Sequence, residues 1–405
     1  MRSRICLLVA FVWFWNASCL VLVADDAPSN MPLAKQSPES TSMPTGSLDA
    51  IDDIVAYGLA NQRMPGAVVM VGHRGAIVFH KAYGLRSSLP EPLPMLEDTV
   101  FDLASLTKPI ATASCIMRLV QTGELALDDK VADHLAEFGA QGKHLVTIKQ
   151  LLLHTGGLIP DNAMADYQDG ADVAREKLLG LSLKYKPGTR FRYSDVGFQV
   201  LGELIEEKTE MSLAEFSAKE IFRPLGMNET GYLPERKLRA RAAATEQREG
   251  RWMVGEVHDP RAYAVGGVAG HAGLFSTAND LAIYSQMLIE GGTLGNAKIF
   301  TREIVDQMTK GYEAPSGVPR RPWERALGWD KRTGYSSNRG ESMTQSAFGH
   351  GGFTGTSLWI DPELELFVIF LSNRVHPDGS GSVNALAGEI GKVAADAARA
   401  ARVAD

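Results

Sequence analysis

Cysteine is scarce in this chain, which has three in 405 residues, at positions 6, 19 and 115. The first two lie in an N-terminal segment that we expect to be removed, which would leave Cys115 without an intramolecular partner. Cys115 lies in an apolar helical stretch, where a cysteine usually acts as a small buried side chain. We therefore predict a fold without disulfide bonds.

Excess basic charge and metal-binding patterns are also missing. The chain has 41 lysines and arginines against 48 aspartates and glutamates, a formal net charge of −7. This balance disfavours nucleic acids and anionic membrane surfaces as partners. The nine histidines form no His-Glu-x-x-His or Cys/His cluster, so we expect no metal site. The glycines of 266–273 lack the dinucleotide-binding spacing, and we expect no cofactor.

The N-terminus resembles a secretory signal over residues 1–24. Arg2 and Arg4 precede an apolar run, as in the basic and hydrophobic regions of such signals. An uncleaved anchor is the alternative, because residues 5–24 are nearly long enough to span a bilayer. Asn16 interrupts the run and favours cleavage. We expect an exported protein, periplasmic or extracellular, that reaches a membrane only through an uncleaved signal segment.

Strand patterns lie near both ends of the remaining chain. Residues 67–79 and 356–372 each hold two β-type runs separated by turn residues, which predicts two hairpins. Helical patterns dominate between them, and an alanine-rich helix is predicted over 385–401. We therefore predict an α/β (α+β) fold, in which both termini form an antiparallel sheet flanked by helices, with an inserted, mostly helical domain.

The domain boundaries follow from composition. Residues 25–46 are rich in proline and serine and predict a flexible linker. Residues 47–401 then form the predicted folded domain. Its α/β part comprises 47–104 and 233–401, and its mostly helical part comprises 105–232.

The Ser105-Leu106-Thr107-Lys108 stretch is the first candidate for chemistry. Residues i and i+3 share a helix face, so the Ser105 hydroxyl and the Lys108 amine can meet. A serine needs a neighbouring base to become a nucleophile, and a lysine is a base only when its pKa is lowered. Ser105 is also a good N-cap for a helix over 109–121. The pair alone equally fits a surface lysine beside that cap.

Two further stretches lie downstream. Tyr193 stands in Tyr193-Ser194-Asp195, and a lysine near its phenol would lower the pKa of that tyrosine. The second is His350-Gly351-Gly352-Phe353, where glycine lets the backbone approach a substrate. The N–H groups of Ser105 and Phe353 would then form an oxyanion hole. Taken singly, these residues also fit a core aromatic, a loop histidine and a strand entry.

In this order the motifs resemble those of the serine β-lactamase and penicillin-binding-protein superfamily. The resemblance is closest to the branch of class C β-lactamases, D,D-carboxypeptidases and lactamase-like esterases. It covers roughly residues 47 to 400, and the stretches 151–158 and 270–277 also resemble characteristic family segments.

The resemblance implies a role for each matching residue. Ser105 would be the acylated nucleophile, and Lys108 its base or proton relay. Tyr193 would protonate the leaving group and activate the hydrolytic water. His350 would line the strand edge that Gly352 and Phe353 continue. His154 and His271 lie in family loops, and neither receives a catalytic role.

Three departures from the family bear on the substrate. Asp195 replaces the usual asparagine; if ionised, it would pair with Lys108, raise the pKa of that lysine and disfavour a substrate carboxylate. Gly351 and Phe353 replace residues whose hydroxyls hold the antibiotic carboxylate in lactamases. Weak β-lactam hydrolysis is expected in consequence. Ser336-Ser337-Asn338 is a less favoured candidate for the second motif.

The sequence therefore predicts an exported serine hydrolase that forms an acyl-enzyme on Ser105. Its substrate would be a small ester, amide or peptide, which corresponds to carboxylesterase, D-amino-acid peptidase or weak β-lactamase activity. An α/β-hydrolase is disfavoured because the chain lacks a Gly-x-Ser-x-Gly elbow. The alternative is a catalytically poor protein that binds penicillin or cell-wall peptides, in which Asp195 holds Lys108 as an ammonium.

Overall fold

Both ends of the chain contribute strands to one antiparallel sheet in the computed structural model, which describes residues 33–315 and 323–404. The predicted signal segment, 1–24, lies outside the described residues. The strands are Gly66–His73 (β1), Ala76–Ser87 (β2), Leu93–Pro94 (β3), Phe101–Asp102 (β4), Gly231–Tyr232 (β5), Ala244–Arg248 (β6), Arg251–Val254 (β7), Leu274–Ser276 (β8), Thr293–Leu294 (β9), Ala297–Lys298 (β10), Tyr312–Ala314 (β11), Trp323–Arg325 (β12), Asp330–Arg332 (β13), Phe348–Gly352 (β14), Thr356–Asp361 (β15) and Leu366–Ser372 (β16).

The α-helices lie on both faces of this sheet and in the segment between its two halves. They are Ala50–Ala60 (α1), Ser114–Gln121 (α2), Val131–His134 (α3), Ile148–Leu152 (α4), Ala171–Leu179 (α5), Asp195–Thr209 (α6), Leu213–Ser217 (α7), Arg236–Arg239 (α8), Pro260–Ala264 (α9), Ala278–Ile289 (α10), Arg302–Thr309 (α11) and Asn384–Ala404 (α12). Residues 105–232 hold α2 to α7 and, at their end, β5.

Within the described residues the main sheet has nine strands, in the order β11-β12-β13-β14-β15-β16-β1-β2-β3. The two predicted hairpins, β1–β2 and β15–β16, lie side by side at its centre, where Val69 is opposite Phe370. The predicted fold class, an antiparallel sheet built from both termini and flanked by helices, is confirmed.

The central strands are apolar on both faces because helices cover both faces. In β16, Phe367 and Ile369 point into a core shared with α10, whereas Val368 and Phe370 point into a core shared with α1 and α12. Burying each such side chain contributes roughly 1.5–3 kcal/mol. This two-sided burial holds the sheet, and with it the strand β14 that borders the site.

Residues 33–46 pack on the sheet, so the predicted flexible linker is wrong for this stretch. The Gln36 N–H donates to the Ile77 carbonyl at 2.9 Å, and the Thr41 hydroxyl lies 2.9 Å from Nδ1 of His73. Met43 is 2% exposed in the core beneath α1 and α12. Burial of this apolar side chain outweighs the proline and serine content that suggested a tether. Residues 25–32 lie outside the described part.

Ser105 does not cap a helix with its side chain, which corrects the sequence prediction. It lies inside a 3₁₀ turn, Ala104–Leu106, and a π-helical turn, Lys108–Ala113, leads from there into α2. The Ser105 hydroxyl accepts a hydrogen bond from Lys108 instead of one from the backbone. The nucleophile candidate is therefore oriented toward the lysine.

Three properties of the described chain complete the fold. No helix in residues 33–315 or 323–404 combines the length and apolarity needed to cross a bilayer. In the same ranges no group of histidine, cysteine, aspartate and glutamate has the arrangement of a metal site. Cys115 is buried in the core, as its apolar neighbours predicted.

Candidate active site

A cavity of about 340 Å³ opens between the helical segment and the edge of β14. Ser105, Tyr193, His350, Gly352 and Phe353, which the sequence placed in one site, all line it. The structure therefore brings together residues from three distant parts of the chain.

Lys108 and Asp195 lie beside Ser105 as a charged pair. Nζ of Lys108 is 3.0 Å from Oγ of Ser105 and 2.6 Å from Oδ1 of Asp195. A third contact, at 3.0 Å, goes to the carbonyl oxygen of His271. The Lys108 side chain is fully buried, and that of Asp195 is 20% exposed. The ammonium group therefore donates two hydrogen bonds, to Ser105 and His271, and forms an ion pair with Asp195.

The charge of Lys108 is decided by two opposing effects. Burial disfavours the ammonium, but the Asp195 carboxylate, with a smaller contribution from Tyr193, outweighs it and raises the pKa of Lys108 above its ordinary value. The pairing with Asp195 that the sequence suggested is thus present. At neutral pH Lys108 must lose a proton before it can accept one from Ser105.

Tyr193 lies over the lysine with its ring in an aromatic stack. Its ring centroid is 5.0 Å from Nζ of Lys108, 4.4 Å from the His154 ring and 5.2 Å from the Tyr335 ring. Burial raises the pKa of Tyr193, and this exceeds the lowering by Lys108 and by hydrogen bonding with Ser105. Lys108 does lower the pKa of Tyr193, as the sequence suggested, but burial outweighs this effect and the net pKa is raised, so the phenol is protonated at neutral pH.

His154 supports Tyr193 through the backbone as well as through its ring. Its Nδ1 accepts a hydrogen bond at 3.1 Å from the N–H of Ser194. Burial, together with the charges of Arg325 and Lys108, places the pKa of His154 well below its ordinary value. The neutral ring fixes the segment between α4 and α6 on which Tyr193 stands.

The edge of β14 is formed by neutral groups. The His350 Nδ1–H donates to the Gly351 carbonyl at 2.8 Å, and burial, followed by the charges of Arg325 and Lys108, lowers the pKa of His350 well below its ordinary value. A Cβ on Gly352 would lie 2.3 Å from the carbonyl oxygen of Leu103. Only glycine permits this approach of β14 to the turn that carries Ser105.

Phe353 follows the end of β14 with its side chain 60% exposed. Its ring lies between the His258 ring, at 5.5 Å, and the guanidinium of Arg374, at 4.5 Å. Arg374 also donates to the Phe353 carbonyl. These contacts hold the residue whose N–H was predicted to bind the oxyanion; that role stays a prediction.

The nearest threonines do not replace the missing hydroxyls of this strand. The Thr354 hydroxyl donates to the Asp102 carbonyl at 2.7 Å, and the Thr356 hydroxyl donates to the Leu103 carbonyl at 3.1 Å. Both are buried and serve the backbone before Ser105. A substrate carboxylate therefore finds neither of these hydroxyls free.

Two further residues border the site, of which Arg325 had no signal in the sequence and Asn338 had a weak one. Arg325 borders the cavity although its side chain is fully buried, and its Nη1 is 3.7 Å from Oδ1 of Asp330. Asn338, from the less favoured second motif, also borders the cavity, but its side chain binds Ser357 and Trp359, each at 3.2 Å. It is a support of β15, and the residue that pairs with Lys108 is Asp195.

The sequence matches the family described as Beta-lactamase over residues 51–391. The chain is 34% identical over 376 residues to an N-acetylmuramyl-L-alanine amidase of Bacillus subtilis (strain 168), covering 84% of this chain and 83% of that protein. It is 30% identical over 383 residues to a protein of Escherichia coli O157:H7 provisionally named D-alanyl-D-alanine carboxypeptidase, covering 85% and 86% of the two chains.

A solved structure shares the fold. The penicillin-binding protein homologue from Caulobacter crescentus superposes with a TM-score of 0.70 at 22% identity, covering 88% of this chain and 98% of that one. At this identity the likeness concerns the fold alone.

Proposed function

The chain belongs to the beta-lactamase family of hydrolases, and from that premise we propose that it is an exported serine hydrolase of cell-wall peptides. It would cleave an amide bond through an acyl-enzyme on Ser105. The observation that carries the proposal is the continuous path from Oγ of Ser105 through Nζ of Lys108, at 3.0 Å, to Oδ1 of Asp195, at 2.6 Å.

Acylation begins with removal of the Ser105 proton. Lys108, an ammonium at rest, passes one proton to Asp195 and then accepts the proton of the serine hydroxyl. After this step the Lys108–Asp195 pair holds two protons, the one that it had at rest and the one from Ser105. The serine oxygen forms a bond to the amide carbon, and the carbonyl oxygen becomes an oxyanion. The N–H groups of Ser105 and Phe353 would hold that oxyanion.

Collapse of the tetrahedral intermediate breaks the bond between carbon and nitrogen. The Tyr193 phenol protonates the departing amine and is reprotonated from Lys108, which returns the pair to its resting state. Water then attacks the ester on Ser105 by the same path, releases the acid and restores the hydroxyl. Each turnover thus consumes one water and leaves the enzyme unchanged.

The hydroxyls nearest β14 disfavour a substrate carboxylate. Those of Thr354 and Thr356 are occupied by backbone carbonyls. A β-lactam, or a peptide that ends in a free D-alanine carboxylate, therefore finds neither of them available, and an internal amide or a neutral ester fits better. Two curated relatives named for cell-wall amide bonds favour that substrate class.

The raised pKa of Lys108 supports a second candidate, a binding protein in which the lysine is locked as an ammonium. The position of Asp195 argues against such a lock, because an oxygen 2.6 Å away can take the proton that Lys108 must release. The two candidates differ in turnover, because the hydrolase releases product repeatedly and the binding protein does not.

A substrate panel with the Ser105→Ala variant tests the proposal. The purified protein is assayed with an N-acetylmuramyl-L-alanine amide, a D-alanyl-D-alanine peptide, a p-nitrophenyl ester and nitrocefin. We expect turnover of at least one cell-wall amide, and a loss of about 10³-fold or more in the variant. Turnover of the ester alone would contradict the substrate class, and unchanged turnover in the variant would contradict the acyl-enzyme.

A further inference from the structure

Asp102 is a buried carboxylate three residues before Ser105, and it is 4% exposed. Its Oδ1 accepts a hydrogen bond from the N–H of Ala104 at 2.8 Å, and its Oδ2 accepts one from the N–H of His258 at 2.6 Å. Both partners are backbone donors, and no lysine or arginine of the described residues forms an ion pair with it. Burying a carboxylate without a cation costs free energy, and the two backbone hydrogen bonds are the contacts that offset this cost.

The first bond holds a strained residue. Ala104 has a φ of +46°, in the left-handed region that costs a residue with a Cβ roughly 1–2 kcal/mol. It directly precedes Ser105, so its dihedral angles aim the Ser105 hydroxyl. The bond from its N–H to Asp102 closes this turn and offsets the strain.

The second bond holds the loop that supports the rest of the site. The ring of His258 stacks on Phe353, with centroids 5.5 Å apart. The next residue, Asp259, lies 3.0 Å from Nε2 of His271, whose carbonyl accepts from Lys108. By accepting a hydrogen bond from the His258 N–H, Asp102 holds the loop that contacts Phe353, the predicted oxyanion donor. The same loop contacts His271, whose carbonyl accepts from Lys108.

A third contact joins the same residue to the sheet. The carbonyl oxygen of Asp102 accepts from the Thr354 hydroxyl at 2.7 Å, just beyond the end of β14. Side chain and main chain of Asp102 therefore touch the nucleophile turn, the 258–259 loop and the segment after β14 together.

We propose that Asp102 is a positioning residue, which aims Ser105 and holds the Lys108 and Phe353 segments in the arrangement needed for acylation. It acts through Ala104 and His258 and does not contact the substrate. This inference goes beyond the proposed function and uses acylation of Ser105 only as its readout. A displacement of reacting groups by about 1 Å can slow a reaction roughly 100-fold.

The Asp102→Asn variant tests this role, because an amide of the same shape cannot accept from both N–H groups. We expect the rate constant for labelling Ser105 with a fluorophosphonate to fall about 100-fold, and KM for a neutral ester to change less than threefold.

Asp280→Asn is the matched control. Asp280 is 5% exposed and accepts from the Glu229 N–H at 2.8 Å and from the Thr230 hydroxyl at 2.7 Å, in a part of the fold that does not line the cavity. Both accepted bonds of Asp280 go to a single oxygen, which an amide oxygen can replace, so Asp280→Asn is expected to label like the wild type and only Asp102→Asn to slow labelling. Equal labelling rates in the two variants would overturn the proposal.

A second background tests the route through Ala104. Glycine adopts a positive φ without the penalty that a Cβ causes. In an Ala104→Gly background the turn therefore depends less on the hydrogen bond from the N–H of residue 104 to Asp102. There the effect of Asp102→Asn should shrink from about 100-fold to about tenfold. An undiminished effect would overturn this route.

Thr354→Val covers the case in which Asp102→Asn does not fold. It removes only the hydroxyl bond to the Asp102 carbonyl and should slow labelling about tenfold; an unchanged rate would overturn the proposal. Failure of the wild type to label at Ser105 would instead contradict the proposed function, so the two failures are distinguishable.

Discussion

Lys108 and Asp195 form a close ion pair, since 2.6 Å separates the two charged atoms and the lysine is fully buried. The carboxylate raises the pKa of Lys108, whereas burial alone would lower it. We propose that Asp195 takes the proton that Lys108 releases when Ser105 is acylated, so a lysine with a raised pKa is compatible with proton removal from Ser105.

Replacing Asp195 by asparagine separates the two roles of the pair. The change removes the charge that raises the pKa of Lys108, and burial then acts alone to lower it. The lysine must now be deprotonated by solvent before it accepts the serine proton, so the labelling rate should rise with pH toward the pKa of that lysine. The wild type should be flat between about pH 7 and 9, because Asp195 raises the pKa of Lys108 and keeps it an ammonium throughout this range.

A second readout for Asp195→Asn is its preference between nitrocefin and an ester at one pH. Removing the carboxylate also removes repulsion toward a β-lactam, so the ratio of nitrocefin to ester kcat/KM should rise about tenfold, equivalent to roughly 1.4 kcal/mol. Identical pH profiles for the two proteins, or an unchanged ratio, would refute this account of Asp195.

Tyr193→Phe tests the phenol as a proton donor. An amine leaves only when protonated, whereas p-nitrophenolate leaves without a proton. Amide turnover should therefore fall about 10²- to 10⁴-fold, and p-nitrophenyl ester turnover less than tenfold. Steady-state assays of both substrates measure the split. Equal losses would show that Tyr193 is needed for packing against His154 and not for protonation.

The element that adjoins the nucleophile most closely is β14. At Gly352 a Cβ would lie 2.3 Å from the Leu103 carbonyl oxygen and 2.2 Å from Oγ1 of Thr356, so one of the two segments must move. Gly352→Ala should separate β14 from the Ser105 turn and slow Ser105 labelling about 100-fold.

Gly231→Ala is the control for that substitution. Gly231 lies in the short strand β5, and a Cβ there meets no atom within 4 Å. This variant should label like the wild type. Unimpaired labelling of Gly352→Ala would mean that the close approach does not determine the geometry of the site.

Local sequence predicted the hairpins and the long helices well, for a physical reason. Apolar residues that recur every two positions indicate a strand, and those that recur about every 3.6 positions indicate a helix, because each pattern turns one apolar face toward a core. These patterns identified β1, β2, β15, β16 and α12. The turn at Ser105 was predicted as a helix cap because capping preferences are local. Its observed form depends on tertiary contacts that are absent from the local sequence: Lys108 with Asp195, Asp102 with the N–H of His258, and Leu103 with Gly352.

At the scale of the whole molecule, the site joins parts of the chain that are far apart in sequence. Its motif residues were predictable, because Ser105, Lys108 and Tyr193 belong to spaced patterns. The carbonyl of His271 was not, since any residue has a carbonyl and only the fold aims this one at Lys108. Arg325 was missed because a single arginine in a short strand usually faces solvent.

We expect residues 33–46 to stabilise the fold through their contacts with the sheet and to leave the active site unaffected. Deleting residues up to 46 removes the buried Met43 side chain and the Thr41–His73 contact. We expect the free energy of unfolding to fall by about 3 kcal/mol in urea titrations, compared with a chain that begins at residue 33. The Ser105 labelling rate should stay the same. Coincident unfolding curves would restore the flexible linker over 33–46.

Peptide mass spectrometry of the protein after fluorophosphonate treatment tests the central claim most directly. We expect one covalent adduct on Ser105, formed at a rate that falls at least 10³-fold in Lys108→Met, because the serine then loses the nitrogen that lies 3.0 Å from its Oγ. A wild-type protein without an adduct, or with an adduct on another residue, would show that Ser105 is not the nucleophile.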